Sequence, residues 1–114
     1  MTFTLPLPTR INATYKTGHG NFYKSQEAKD WEEEALVALI QSKVRTTHSM
    51  IYTPIYVGIE MFIKRDCDID SRTKILLDFM QNKIYRNDSQ IQHLNIKKYV
   101  SKENPRVEVT ITEL

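Results

Sequence analysis

Residues 65–78 read RDCDIDSRTKILLD. Asp66, Asp68 and Asp70 stand at alternate positions, and Lys74 follows Asp70 by four residues. On an extended chain alternate side chains project to one side, which sets the three carboxylates together with Cys67 and Ile69 behind them. Two carboxylates ~5 Å apart at an effective dielectric of ~20 repel by roughly 3 kcal/mol, and in water by less than about 1 kcal/mol. An exposed cluster therefore tolerates itself, whereas a partly buried one needs a cation or a raised pKa. All-oxygen ligands at a strand end suit Mg²⁺ or Mn²⁺, ions that also take phosphate oxygens.

Calcium fits poorly. An EF-hand loop begun at Asp66 needs glycine at its sixth position and a bidentate glutamate at its twelfth. The chain has Ser71 and Leu77 there, and the ninth position is Lys74, a cation where a ligand belongs. The preceding segment also reads as a strand, where an EF-hand has a helix. A nucleotide-sugar transferase uses an acid-x-acid pair too, but its nucleotide-binding domain normally exceeds this whole chain. Lys74 lies one helical turn beyond Asp70. It can form a helix salt bridge to Asp70 or Asp78, worth a few tenths of a kcal/mol, or neutralise a phosphate held at the acids. Asp88, in the segment NDSQ (87–90), is by itself an ordinary turn residue.

The elements that must hold these residues follow from periodicity. Residues 2–7 alternate, with Phe3, Leu5 and Leu7 on one side, and Pro6 and Pro8 end the strand or put it at an edge. The polar stretch 9–24 shows no period and reads as a long loop. Ser25 is a good N-cap, with Glu27 in the first turn. Ala28, Trp31, Ala35, Leu36, Leu39 and Ile40 then form an apolar helical face through about Lys43. After a turn-rich connection, 55–65 alternates as a long strand with one buried face and runs into the aspartates. A second helix spans about 71–82, capped by Asp70 or Ser71, with Ile75, Leu76, Phe79 and Met80 at helical spacing. Strands over about 91–100 and 106–112 close the chain. The order argues an α+β fold: a small mixed sheet with two main helices on one face.

The 114 residues are 40 % apolar and 26 % charged, so 1–114 reads as a single ordinary globular domain. The net charge of +2 does not announce a nucleic-acid partner. Its distribution says more: 29–34 is acidic, whereas 83–106 carries Lys83, Arg86, Lys97, Lys98, Lys102 and Arg106 against Asp88 and Glu103. One cysteine excludes an internal disulfide and fits a reducing cytosol. No apolar run approaches the ~18–20 residues that cross a bilayer, and no signal peptide opens the chain, so a soluble cytoplasmic protein is expected. His19, His48 and His93 are scattered and read as surface or structural residues.

Taken in order, the motifs resemble the RusA family of Holliday junction resolvases, small Mg²⁺-dependent endodeoxyribonucleases of bacteria and their phages. That family's pattern is Asp-x-Asp-Asn-x-x-Lys, Leu-Asp on the following helix, then an acidic pair with a polar residue and Gln. The chain has Asp68, Asp70, Ser71, Lys74, Leu77 and Asp78, then Asn87, Asp88, Ser89 and Gln90. LPLPTRINATYK resembles the family's proline-rich start with an Asn and a Tyr, here Asn12 and Tyr15, and FYKSQEAKDW and PRVEVTIT resemble its first-helix start and last strand. The resemblance covers nearly the whole chain. It departs at Ser71, where the family has Asn, and at Asn87, where it has the first acid of the pair.

The resemblance implies a RusA-like fold in a bacterial cytoplasm and a metal site of Asp68, Asp70 and Asp88, with Lys74 catalytic and Mg²⁺, or Mn²⁺, as cofactor. Asp66 has no clear counterpart there and reads as auxiliary or solvated. The implied reaction is hydrolysis of DNA phosphodiesters by paired nicks at a four-way junction, which one small site cannot make alone, so a twofold homodimer is expected. Candidate DNA contacts are Arg10, Asn12, Lys16, Lys24, Ser71, Lys83, Arg86, Lys97 and Lys98. The competing expectation is a non-catalytic module of the same fold that binds branched DNA, which the two departures favour.

Overall fold

The computed structural model describes residues 1–10, 15–18, 21–44 and 49–114, with the backbone alone at 15–18, 21 and 22. Four strands form the main sheet in the order β1-β6-β4-β5: β1 is Thr2–Pro6, β4 Ile55–Ile63, β5 Ile91–Val100 and β6 Arg106–Glu113. β4 pairs in parallel with β5 and antiparallel with β6, which pairs antiparallel with β1. The sheet is mixed, as the sequence predicts, and β1, which ends at Pro6, is an edge strand.

β4 is the axis of the molecule. Its β-branched residues favour an extended chain, and its side chains alternate between two unlike environments. Ile55, Val57, Ile59, Met61 and Ile63 are buried, whereas Tyr56, Gly58, Glu60 and Phe62 are half-buried or exposed. Helices α1 (Gln26–Gln41) and α2 (Asp70–Met80) cover the buried face. Trp31 and Ala35 from α1 and Leu76, Phe79 and Met80 from α2 join those strand residues in one buried cluster. Trp31 and Phe79 meet edge to face at 5.1 Å between ring centres. The opposite face carries polar rows, with Glu60 registered between Glu108 of β6 and Lys97 of β5.

Three expectations are corrected. Within 9–24, predicted as a loop, Tyr15–Gly18 (β2) and Asn21–Lys24 (β3) pair as a separate antiparallel ribbon. Outside the main sheet, these strands have no need of the alternating apolar pattern that marks the others. Ser25 caps α1 as predicted, its Oγ accepting from the Ala28 amide at 3.1 Å. Ile40, however, is 55 % exposed: the buried stripe is Ala28, Trp31, Ala35 and Leu39, and the next residue turns about 100° away from it. At α2 neither Asp70 nor Ser71 is the cap. Ile69 holds that position in a helical conformation without a side-chain bond, and Asp70 is already the first helical residue.

Leu76 is fully buried on α2, between sheet and helix. Leu76→Ala is expected to lower unfolding stability by about 2–5 kcal/mol through the cavity it leaves. Leu94→Ala, at a position 41 % exposed on β5, should cost far less. Urea denaturation of both variants checks the contrast.

Candidate active site

Because β4 and β5 are parallel, the chain must return from the end of one to the start of the other, and α2 makes that crossing. The acidic residues flank the crossing, forming one corner before α2 and another after it.

The first corner follows the end of β4. Asp68 and Asp70 are both exposed there, so water relieves their repulsion without a counter-ion. Asp70 sits in the first turn of α2, where the helix dipole favours a carboxylate. The Ser71 hydroxyl and amide both donate to the Asp68 carbonyl, at 2.7 and 3.1 Å, closing the turn from loop to helix. Ser71 thus has a local role for its short side chain. Lys98 of β5 reaches over and donates to both Asp66 Oδ1 and the Cys67 carbonyl, each at 2.7 Å. Asp66 is therefore an anchor for the loop carrying Asp68. Hydrogen bonding to Lys98 and its charge hold the Asp66 carboxyl below its ordinary value, and Asp66 in turn raises Lys98. Arg72 ties this corner to the end of β1 by donating to the Pro8 carbonyl. Burial alone would push the Cys67 thiol up, but hydrogen bonds from Ser71 and Arg72 and the charges of Arg72 and Arg10 outweigh it and lower it.

The second corner lies beyond the other end of α2. Asn82 takes a left-handed conformation (φ 68°) that asparagine tolerates, and the chain turns through Tyr85 to a short 3-10 turn, Asp88–Gln90. Asn87 caps that turn: its side chain accepts from the Ser89 amide at 2.9 Å, and Gln90 accepts from the Asn87 amide at 2.8 Å. The Gln90 amide nitrogen also donates to the carbonyls of Ile51 and Thr53, fixing the turn to the segment before β4. Asp88 is half-buried. Its backbone N–H donates to Gln81 Oε1 at 2.9 Å, and its Oδ1 accepts from the hydroxyl of buried Tyr85 at 2.8 Å. Burial, the bond to Asp88 and the charges of Asp88 and Asp78 all push the Tyr85 phenol up, so it stays protonated.

The two corners do not meet within one chain. Tyr85 also lies 3.0 Å from the Leu77 carbonyl, so Asp88 is anchored beside the last turns of α2. Asp70 opens the same helix, about 10 Å away along its axis at ~1.5 Å per residue. Among the described residues no three His, Cys, Asp or Glu side chains converge as a metal cage. Asp68 and Asp70 alone fit Mg²⁺ in chemistry, as two accessible hard-oxygen ligands, because that ion commonly takes one or two carboxylates with waters and substrate phosphates. Lys74 lies between the corners, exposed, 3.5 Å from Asp78.

The predicted DNA contacts are spread over several elements. Asn12 lies outside the described residues, as do His19 and His48, and for Lys16 the backbone alone is described. Lys24 pairs with Glu32, Lys83 donates to the Phe79 carbonyl and covers the Phe79 ring, and Arg86 donates to Asn82. Lys97 and Lys98 point to opposite faces of β5, while Arg10 is exposed near the first corner. Sequence reasoning missed Tyr85, Gln81 and Arg72. Nothing in their spacing marks them, since each acts through partners set by the tertiary fold.

The Lys98–Asp66 pair gives a pH prediction. A lowered carboxyl stabilises the fold above its ordinary value of 3.8 and loses that effect as the pH falls through its folded value. A raised ammonium acts below its ordinary value of 10.5 and is lost as the pH rises through its folded value. Melting temperatures of wild type and Lys98→Met should therefore differ at intermediate pH and converge below pH 3.8 and above 10.5.

Comparison with curated proteins returned no match. The family model described as endodeoxyribonuclease RusA matches residues 6–112, which include both acidic corners, α2 and every strand of the main sheet at least in part. Membership of that family implies action on Holliday junctions, and no helix among the described residues is long and apolar enough to cross a membrane. The chain belongs to the RusA family of endodeoxyribonucleases.

Proposed function

We propose that this protein is a metal-dependent endonuclease that resolves four-way DNA junctions by paired nicks. The observation that carries the reading, within a RusA-family chain, is the exposed Asp68–Asp70 pair at the end of the central strand, with Lys74 one turn along α2. Asp68 and Asp70 would hold Mg²⁺, or Mn²⁺, which would supply phosphate polarisation and water activation. Asp68 and Asp70 present the hard oxygens, and Lys74 stabilises the negative charge that builds on the phosphate during displacement. Its contact with Asp78 is exposed and loose enough to exchange for a phosphate. Ser71 and Asn87, the two departures from the family pattern, each close a local turn.

A twofold homodimer places two such sites on one junction. It also gives the Asp88 of one copy a route to the Asp68–Asp70 pair of the other, which the length of α2 denies it within a chain. Arg10, Lys97 and the remaining basic candidates contact phosphates around these sites.

Incubated with a synthetic four-way junction and Mg²⁺, the wild type should nick two opposed strands. EDTA or Asp70→Asn should reduce nicking by about 10³-fold or more while junction binding persists. Binding without nicking in Mg²⁺ or Mn²⁺ would favour the non-catalytic module. Asp70→Asn and Asp88→Asn proteins, each inactive alone, should regain activity when mixed and refolded together, since a shared site leaves one of two intact. A mixture that stays inactive places all the acids of a site in one chain. Lys97→Ala should weaken junction binding for all sequences and flatten its salt dependence by about one unit of slope.

A further inference from the structure

We propose that Tyr85 is a positioning residue: its buried hydroxyl, assisted by the Gln81 side chain, holds the Asp88 carboxylate in one orientation as a metal ligand. This rests on the nuclease reading and the shared twofold site above, and adds to them a residue that no motif marks. Tyr85 is completely buried, and its ring belongs to the apolar cluster. A phenylalanine would fill that volume equally well, and the Leu77 carbonyl at 3.0 Å would suffice to satisfy the hydroxyl. The further contact, 2.8 Å to Asp88 Oδ1, reaches a half-buried carboxylate on a turn. It fixes a side chain that otherwise has two freely rotating bonds, and it leaves Oδ2 for a ligand.

Gln81 completes the hold. Its Oε1 accepts from the Asp88 amide at 2.9 Å, so the backbone of the same aspartate is bonded to the C-cap of α2 and its side chain to Tyr85. Tyr85 is packed into the core, so the orientation is set before any ion arrives. Partners that orient metal-ligating carboxylates typically matter by 10–100-fold in metal affinity or activity.

The test uses the full chain and four proteins: wild type, Tyr85→Phe, Gln81→Ala and Asp88→Asn. Mn²⁺ binding is read from the electron paramagnetic resonance of the free ion, junction binding by gel shift in EDTA, and nicking against Mg²⁺ concentration. Tyr85→Phe should bind the junction within about twofold of wild type. Its Mn²⁺ affinity should fall about 10-fold, with the half-saturating Mg²⁺ for nicking rising by a similar factor. If circular dichroism shows Tyr85→Phe unfolded, Gln81→Ala, altered at a half-buried position, carries the test with a shift in the same direction. Wild-type Mn²⁺ binding and nicking in the folded variant would overturn the role of Tyr85 and leave the nuclease intact. Full nicking by Asp88→Asn would remove Asp88 from the site and overturn the proposal with it. A wild type that binds junctions but never nicks would instead defeat the nuclease reading on which the proposal stands.

Discussion

Parallel pairing between β4 and β5 is the constraint on which the rest depends. Two neighbouring strands in one direction cannot be joined by a tight turn, so the chain must cross back over the sheet. The apolar side of α2 is what allows that crossing to bury itself against β4. The acidic candidates then fall at the ends of the crossing, Asp68 and Asp70 where it begins and Asp88 where it finishes, with Lys74 on the helix between them. Helix length sets the separation of the acids, and tertiary contacts with β1, β5 and the segment before β4 set their orientation.

The two corners are built differently. The first is shallow and wet, with carboxylates in solvent and a loop held from outside by an exposed lysine. The second is anchored from inside, through a buried phenol and an amide that bridges two carbonyls of another segment. An open corner suits a group that must admit a phosphate backbone, and an anchored one suits a residue that must stay aimed. Ser71 and Asn87, where the chain departs from the family pattern, each bond to backbone atoms that close their own turn.

Much of this was legible in the sequence. Strict alternation in 55–63 and 106–112, helical spacing from Ala28 to Leu39 and Ser25 as a cap state their local structure directly, because burial and backbone geometry act over the same few residues. The acidic candidates were legible through their order along the chain. Their separation was not, since it depends on which strands pair and in which direction. Ile40 misled because its neighbours share its apolar character while the sheet covers a narrower stripe. Asp66 and Lys98 lie far apart in sequence, and only the parallel register of β5 on β4 brings the lysine to the loop.

β5 stands at the end of the strand order, ten residues long, with most of its side chains exposed. Its outer row of backbone donors and acceptors is a template on which a stray strand from another molecule could grow. Lys97 and Lys98 stand side by side on it and point to opposite faces, Lys98 tied to Asp66 and Lys97 across from Glu60. Charge on an edge strand is one way that sheets discourage such growth.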